Sequence, residues 1–115
     1  MEIPRPPLDT EHAALTFAAL GSEQRLAVLR SLVRAGPEGL SIGVLGARCG
    51  ITGSTLTFHV KTLTQAGLVR QTRAGRRIIC AADADAIRTL SEFLLAECCA
   101  DAVRSPSREA ERPDD

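Results

Sequence analysis

The chain has 115 residues, an ordinary apolar fraction, few aromatic residues, and 14 basic side chains against 14 acidic ones. That length allows one small domain with a modest core, and a net charge of zero excludes a protein that binds polyanions indiscriminately through its bulk charge. No apolar run approaches the ~20 residues of a membrane span, and the opening MEIPRPPLDTEH lacks a signal-peptide core, so the expected location is cytoplasmic, with no membrane partner.

Residues 1–8 are proline-rich and read as an irregular segment, residues 9–99 as the folded domain, and residues 100–115, DAVRSPSREAERPDD after Ala100, as a disordered polar tail. Asp9 or Thr10 caps a first helix that runs to about Leu20, with Ala14, Leu15, Phe17, Ala18 and Leu20 giving it a mostly apolar character. Gly21 and Ser22 break the chain, and Ser22 caps a second helix to about Ala35 whose inner stripe is Leu26, Leu29, Leu32 and Val33. Gly36-Pro37-Glu38-Gly39 is a turn. Ser41 caps a short third helix ending near Cys49-Gly50, and Ile51-Thr52-Gly53 turns the chain into a fourth.

The fourth helix carries the most information. In Ser54 to Arg70, STLTFHVKTLTQAGLVR, Leu56, Val60 and Leu63 recur at i, i+4 and i+7 and require a core on one side. The other residues, Ser54, Thr55, Thr57, His59, Lys61 and Thr62, form an outward face of hydroxyls, an imidazole and an ammonium with no carboxylate among them. Gly67 supplies the left-handed residue that ends such a helix. Leu68 and Val69 then begin a strand, Thr72 to Arg77 forms a glycine-bearing turn, and Ile78, Ile79 and Cys80 return as its partner. A last helix follows Asp83, with Ile87, Leu90, Leu94, Leu95 and Cys98 on one side.

A helix followed at once by a hairpin with a basic tip is the winged form of helix-turn-helix, with the helix in the major groove and the wing on flanking phosphates. Charge is sorted accordingly. From Ser41 to Ala82 there is no Asp or Glu, while Arg48, Lys61, Arg70, Arg73, Arg76 and Arg77 all fall there. One basic face on a neutral chain is the footprint of a duplex-binding surface. An ordinary amphipathic helix with a solvated face, in a protein-interaction module, is the competing reading. An enzyme is not expected: the sequence has no His/Asp/Cys constellation and no phosphate-cradling glycine loop.

The segments ALGSEQRLAVLRSLVRAGPEGLS (Ala19 to Ser41), STLTFHVKTLTQAGLVR and RAGRRIICAAD (Arg73 to Asp83) together resemble the ArsR/SmtB family of small dimeric bacterial repressors over residues 12–99. The resemblance implies a mainly α fold with a β-hairpin wing, in the order α-α-α-α-β-β-α. It also implies a homodimer through the first and last helices and double-stranded operator DNA as partner. Ser54, Thr55, Thr57, His59 and Lys61 match family positions that touch DNA, and Arg73, Arg76 and Arg77 match the wing.

In a reduced compartment the four cysteines are expected as ligands, redox groups or buried small hydrophobes rather than disulfides. Zinc sites of the family need Asp and His on the last helix, whereas the histidines here are His12 and His59. Its third-helix cysteine motif is also missing, and Cys49 and Cys80 read as packing residues. Cys98-Cys99 differs. The run FLLAECC, Phe93 to Cys99, resembles the family's arsenical-sensing branch, in which vicinal cysteines at this location bind trivalent arsenic. The expected inducer is therefore arsenite or methylarsenite, with antimonite as a relative. Arsenite prefers three sulfurs and no third cysteine follows Cys99, so the count of two leans toward a trivalent organoarsenical, or toward arsenite held weakly or across the dimer. Adjacent residues do not face each other on a regular helix, so a shared ligand requires the helix end to distort. Thiol-based redox or persulfide sensing is the alternative signal.

Overall fold

The computed structural model describes residues 8–102 and orders them as α1 (Thr10–Ala19), α2 (Glu23–Ala35), β1 (Leu40–Ser41), α3 (Ile42–Cys49), α4 (Gly53–Gln65), β2 (Val69–Ala74), β3 (Arg77–Ala82) and α5 (Ala84–Leu95). The expected order of helices and wing is met, with β1 added. The irregular segment expected for residues 1–8 and the tail expected for residues 100–115 lie almost entirely outside the described residues.

Local chemistry sets most boundaries. Asp9, Ser22, Ser41 and Asp83 each accept a backbone N–H three residues on, capping α1, α2, α3 and α5. Gly50, at φ 69°, closes α3. At the end of α4, Gly67 takes φ 82°, its N–H donates to the Thr64 carbonyl, and the Leu68 N–H donates to Leu63. This Schellman arrangement satisfies two orphan carbonyls and aims Leu68 back into the core.

The core is one cluster: Val28, Leu29 and Leu32 of α2, Leu45 of α3, Ile51 of the turn, Leu56, Val60 and Leu63 of α4, then Leu68, Val69, Cys80 and Ala82. Two expected members of the α2 stripe are corrected. Leu26 and Val33 are exposed, and Val28 takes the inner position. Around the helix Val28, Leu32 and Leu29 follow one another across the core side, and Val33 and Leu26 lie next beyond Leu29, past the edge that the core covers.

All three strands are antiparallel, in the order β1-β3-β2. The turn is tighter than expected: Ala74 pairs with Arg77, leaving Gly75 and Arg76 as a two-residue loop, with Gly75 at φ 66°. After Val69 every residue of β2 is exposed, so the wing is a ribbon projecting beyond the core. β1, absent from the sequence reading, pairs Leu40 with Cys80 and Ser41 with Ile79 at the wing's base.

Gly39 precedes β1 at φ 74°, and a Cβ there would strike the Cys80 carbonyl. Gly39→Ala is expected to cost about 1–3 kcal/mol in urea unfolding, through a left-handed backbone and a clash with no flexible side chain to yield. Gly43→Ala is the matched control. It lies inside α3 with open space around its Cα, so the same measurement should find it neutral or up to about 1 kcal/mol more stable.

Candidate nucleic-acid interface and thiol pair

α3, the Gly50–Thr52 turn and α4 form a helix-turn-helix whose second helix packs on α2 through Leu56, Val60 and Leu63. Gly46 makes the close approach possible, since a Cβ there would meet the Ile51 carbonyl at 2.6 Å and Leu56 at 3.0 Å. The start of α4 has no acidic residue, and Thr52 makes no side-chain capping bond. Such a helix start is electrostatically suited to a phosphate.

The expected site residues divide in two. Ser54, Thr55, Thr57 and Lys61 are exposed on α4, and Arg73, Arg76 and Arg77 are exposed on the wing. Thr57 donates its hydroxyl to the Gly53 carbonyl at 3.4 Å, which leaves its oxygen available as an acceptor. Thr62, also expected outside, is half-buried and donates to the Phe58 carbonyl at 3.0 Å.

His59 is the correction. It is 7% exposed and belongs with the buried line of α4. Its Nε2 lies 2.9 Å from Gln24 Oε1, and its Nδ1 lies 3.5 Å from an Arg25 guanidinium nitrogen. Arginine can only donate, so Nδ1 accepts and the Nε2–H donates to Gln24. Arg25 in turn donates through Nε to the Ala19 carbonyl at 2.7 Å. His59 therefore ties α4 to the start of α2 and, through Arg25, to the end of α1. Its position follows from spacing, because residues 56, 59, 60 and 63 share one helix face. The sequence reading also passed over Phe58, which points outward where His59 was expected to.

The helix ends before the cysteine pair. α5 stops at Leu95, and residues 96–101 run through turns that include Cys98 N–H to the Leu95 carbonyl and Ala102 N–H to the Cys99 carbonyl. The expected position at the close of the last helix is thus corrected to a segment just beyond it. Cys99 has φ 63°, the single positive φ outside glycine among the described residues. In that conformation the two sulfurs come within 3.5 Å of each other, both exposed. The hydrogen bond and charge of Cys99 push the Cys98 thiol above its ordinary value. Cys80 is fully buried and burial raises its thiol as well, while Cys49 is half-buried beside Ser31 at 3.5 Å.

A family model described as a helix-turn-helix domain matches residues 20–72. The chain is 41% identical over 68 residues to the uncharacterized HTH-type transcriptional regulator YceK of Bacillus subtilis (strain 168), covering 59% of this chain and 67% of that one. An ArsR-like transcriptional regulator from Rhodococcus sp. RHA1 superposes with a TM-score of 0.67 at 26% identity, covering 87% of this chain and 88% of that one. The protein belongs to the ArsR family of winged helix-turn-helix transcriptional regulators. The fold is also that of the homodimeric winged helix-turn-helix DNA-binding domain of a Mycobacterium bovis protein, at a TM-score of 0.61 and 20% identity, covering 91% of this chain and 89% of that one. As in its relatives, the activity is regulation rather than catalysis. Among the described residues no helix is long and apolar enough to cross a membrane.

Two measurements test this surface. Changing Arg76 and Arg77 together to Ala should weaken binding to all duplexes alike and reduce the salt dependence by about one log-log unit for each phosphate that is no longer neutralised. His59→Ala should instead lower unfolding stability by about 1–3 kcal/mol, because Gln24 and Arg25 lose their partner, and should leave the salt dependence of duplex binding unchanged, because the imidazole contacts no phosphate.

Proposed function

We propose that this protein is an operator-binding repressor released by a trivalent arsenical that bonds to Cys98 and Cys99. The observation carrying this reading is the pair of exposed sulfurs 3.5 Å apart on a non-helical turn. Two thiolates this close can share one thiophilic atom without first unwinding a helix, and soft sulfur selects As(III) or Sb(III) over hard cations.

Ligand count refines the choice. No group of three or more His, Cys, Asp or Glu side chains able to hold a metal ion occurs among the described residues. Methylarsenite has one position filled by carbon and two by hydroxyl. Capture by the pair breaks two As–O bonds, forms two As–S bonds and releases two waters that carry off the thiol protons. Arsenite would keep one hydroxyl or take a third sulfur from elsewhere, so methylarsenite is the preferred inducer of the two.

Operator binding uses Ser54, Thr55, Thr57 and Lys61 from α4, with Arg73, Arg76 and Arg77 on flanking phosphates. Two copies of α4 are needed to span two half-sites, and the homodimeric structural relative supports this assembly. α1 packs against α5, and the two helices leave Leu15, Phe17, Leu94 and Leu95 exposed, the last two at 64% and 67%. A dimer through the first and last helices covers these residues. The thiol pair directly follows α5, so a ring closed through its two sulfurs restrains chain at the edge of that interface. Resetting the separation of the two α4 helices then requires a coupling of only ~1–3 kcal/mol.

Redox or persulfide sensing by the same thiols is the second reading. The raised Cys98 thiol counts against it, because sensor cysteines generally depend on a lowered one.

Two tests follow. In fluorescence anisotropy on an operator duplex, methylarsenite should release the native protein, whereas the Cys98→Ser, Cys99→Ser variant should bind with unchanged affinity and stay bound. Release of that double variant would refute the assignment. Alkylation of Cys98 should accelerate with pH to a midpoint above the ordinary thiol range, since its thiolate forms late. Cys99→Ala, which removes the cause of the shift, should bring that midpoint back down.

A further inference from the structure

The outward face of α4 carries an aromatic ring that the contacts assigned above leave unused. Phe58 is 58% exposed, although phenylalanine is among the side chains most readily buried. Around the helix it stands opposite Leu56, Val60 and Leu63, in one stripe with Ser54, Lys61 and Gln65, all exposed. A lone exposed aromatic needs no explanation in general. This one occupies the centre of an acid-free face, with a hydroxyl one turn before it and an ammonium one turn after it. The following residue, His59, lies 5.7 Å from it between ring centroids and is tied to Gln24, so the backbone that carries Phe58 is fixed in rotation.

We propose that Phe58 is a sequence-reading residue that packs its ring against the C5-methyl group of a thymine in the major groove. A benzyl group has no donor or acceptor and cannot read the hydrogen-bonding edge of a base. The apolar feature that the major groove offers to such a side chain is the thymine methyl. Ser54 and Lys61, contacting the backbone to either side, set the depth at which the ring sits. The proposal rests on the assignment of this face to operator DNA, and gives that face a discriminating element which hydroxyls and an ammonium alone supply poorly.

The test uses the full-length protein and a duplex that it enriches from a random pool. Each thymine is replaced in turn by deoxyuridine, which removes the methyl and leaves the hydrogen-bonding edge intact. At one thymine per half-site the native protein should lose about fourfold in affinity, the worth of one buried methyl-sized group. Phe58→Ala should be indifferent at that thymine while keeping the native salt dependence, and Phe58→Leu should retain part of the discrimination. The idea is overturned if every deoxyuridine is tolerated by the native protein, or if Phe58→Ala discriminates as well as the native chain. A pool that yields no enriched sequence, with salt-steep binding to unselected duplex retained, also overturns it while leaving the DNA assignment standing. Loss of salt-steep binding altogether would instead strike the DNA assignment itself.

Discussion

The roll of α4 about its own axis decides which side chains this protein can offer to a groove. Four residues set that roll. Leu56, Val60 and Leu63 are driven inward by the hydrophobic effect, which is strong but does not distinguish small rotations. His59 supplies what they lack, because its hydrogen bonds to Gln24 and Arg25 are directional. A rotation large enough to bring the imidazole out would break both bonds and expose part of the apolar line. Everything on the opposite side, Phe58 included, is held outward by the same constraint.

This explains what could be read from the residues alone and what could not. The capping residues Asp9, Ser22, Ser41 and Asp83 and the terminating Gly67 act within a few positions of themselves, and the boundaries they imply agree with the structure to within a residue or two. The wing and its basic residues were equally legible from the strand–glycine–strand pattern. His59 is polar, yet its phase on the helix outweighs its polarity and turns it inward. At i+3 from Leu56 and i−4 from Leu63 it had to share their side. Leu26 and Val33 are a different case, since their i, i+3, i+7 spacing with Leu29 suits a stripe and only the tertiary packing, which turns the Val28 side of α2 to the core, leaves them exposed. β1 carries no periodicity at two residues long, and its existence depends on an edge of β3 far away in sequence.

The end of α5 shows a different limit. Apolar spacing continues through Cys98, and nothing in FLLAECC breaks a helix in the way that glycine or proline would. Yet the helix stops at Leu95 and Cys99 adopts a left-handed backbone. Beyond Leu95 the chain has left the packed part of the molecule, for residues 96–101 are all exposed. A helix gains most of its stability in a protein from burying one face, and α5 ends two residues after Phe93, its last partly buried side chain. The consequence is chemical: on a regular helix neighbouring sulfurs diverge, while on this turn they meet.

The position of the pair also bears on how a signal would reach the DNA. α5 packs on α1, the carbonyl of Ala19 at the end of α1 holds Arg25, and Arg25 approaches His59 on α4. The thiol-bearing segment is thus joined to the recognition helix through ordinary contacts within one subunit, besides any route across a dimer. Such a chain of contacts transmits nothing unless some element in it has two arrangements. The turn at residues 96–101 is the element best suited to that part. It is exposed and strained at Cys99, and it gains a covalent constraint when its sulfurs share a ligand, whereas the rest of the path is packed or tied. Under the proposed function, a rigid reader paired with a pliable sensor would let ligation at one end change where the reading face sits without changing what it reads.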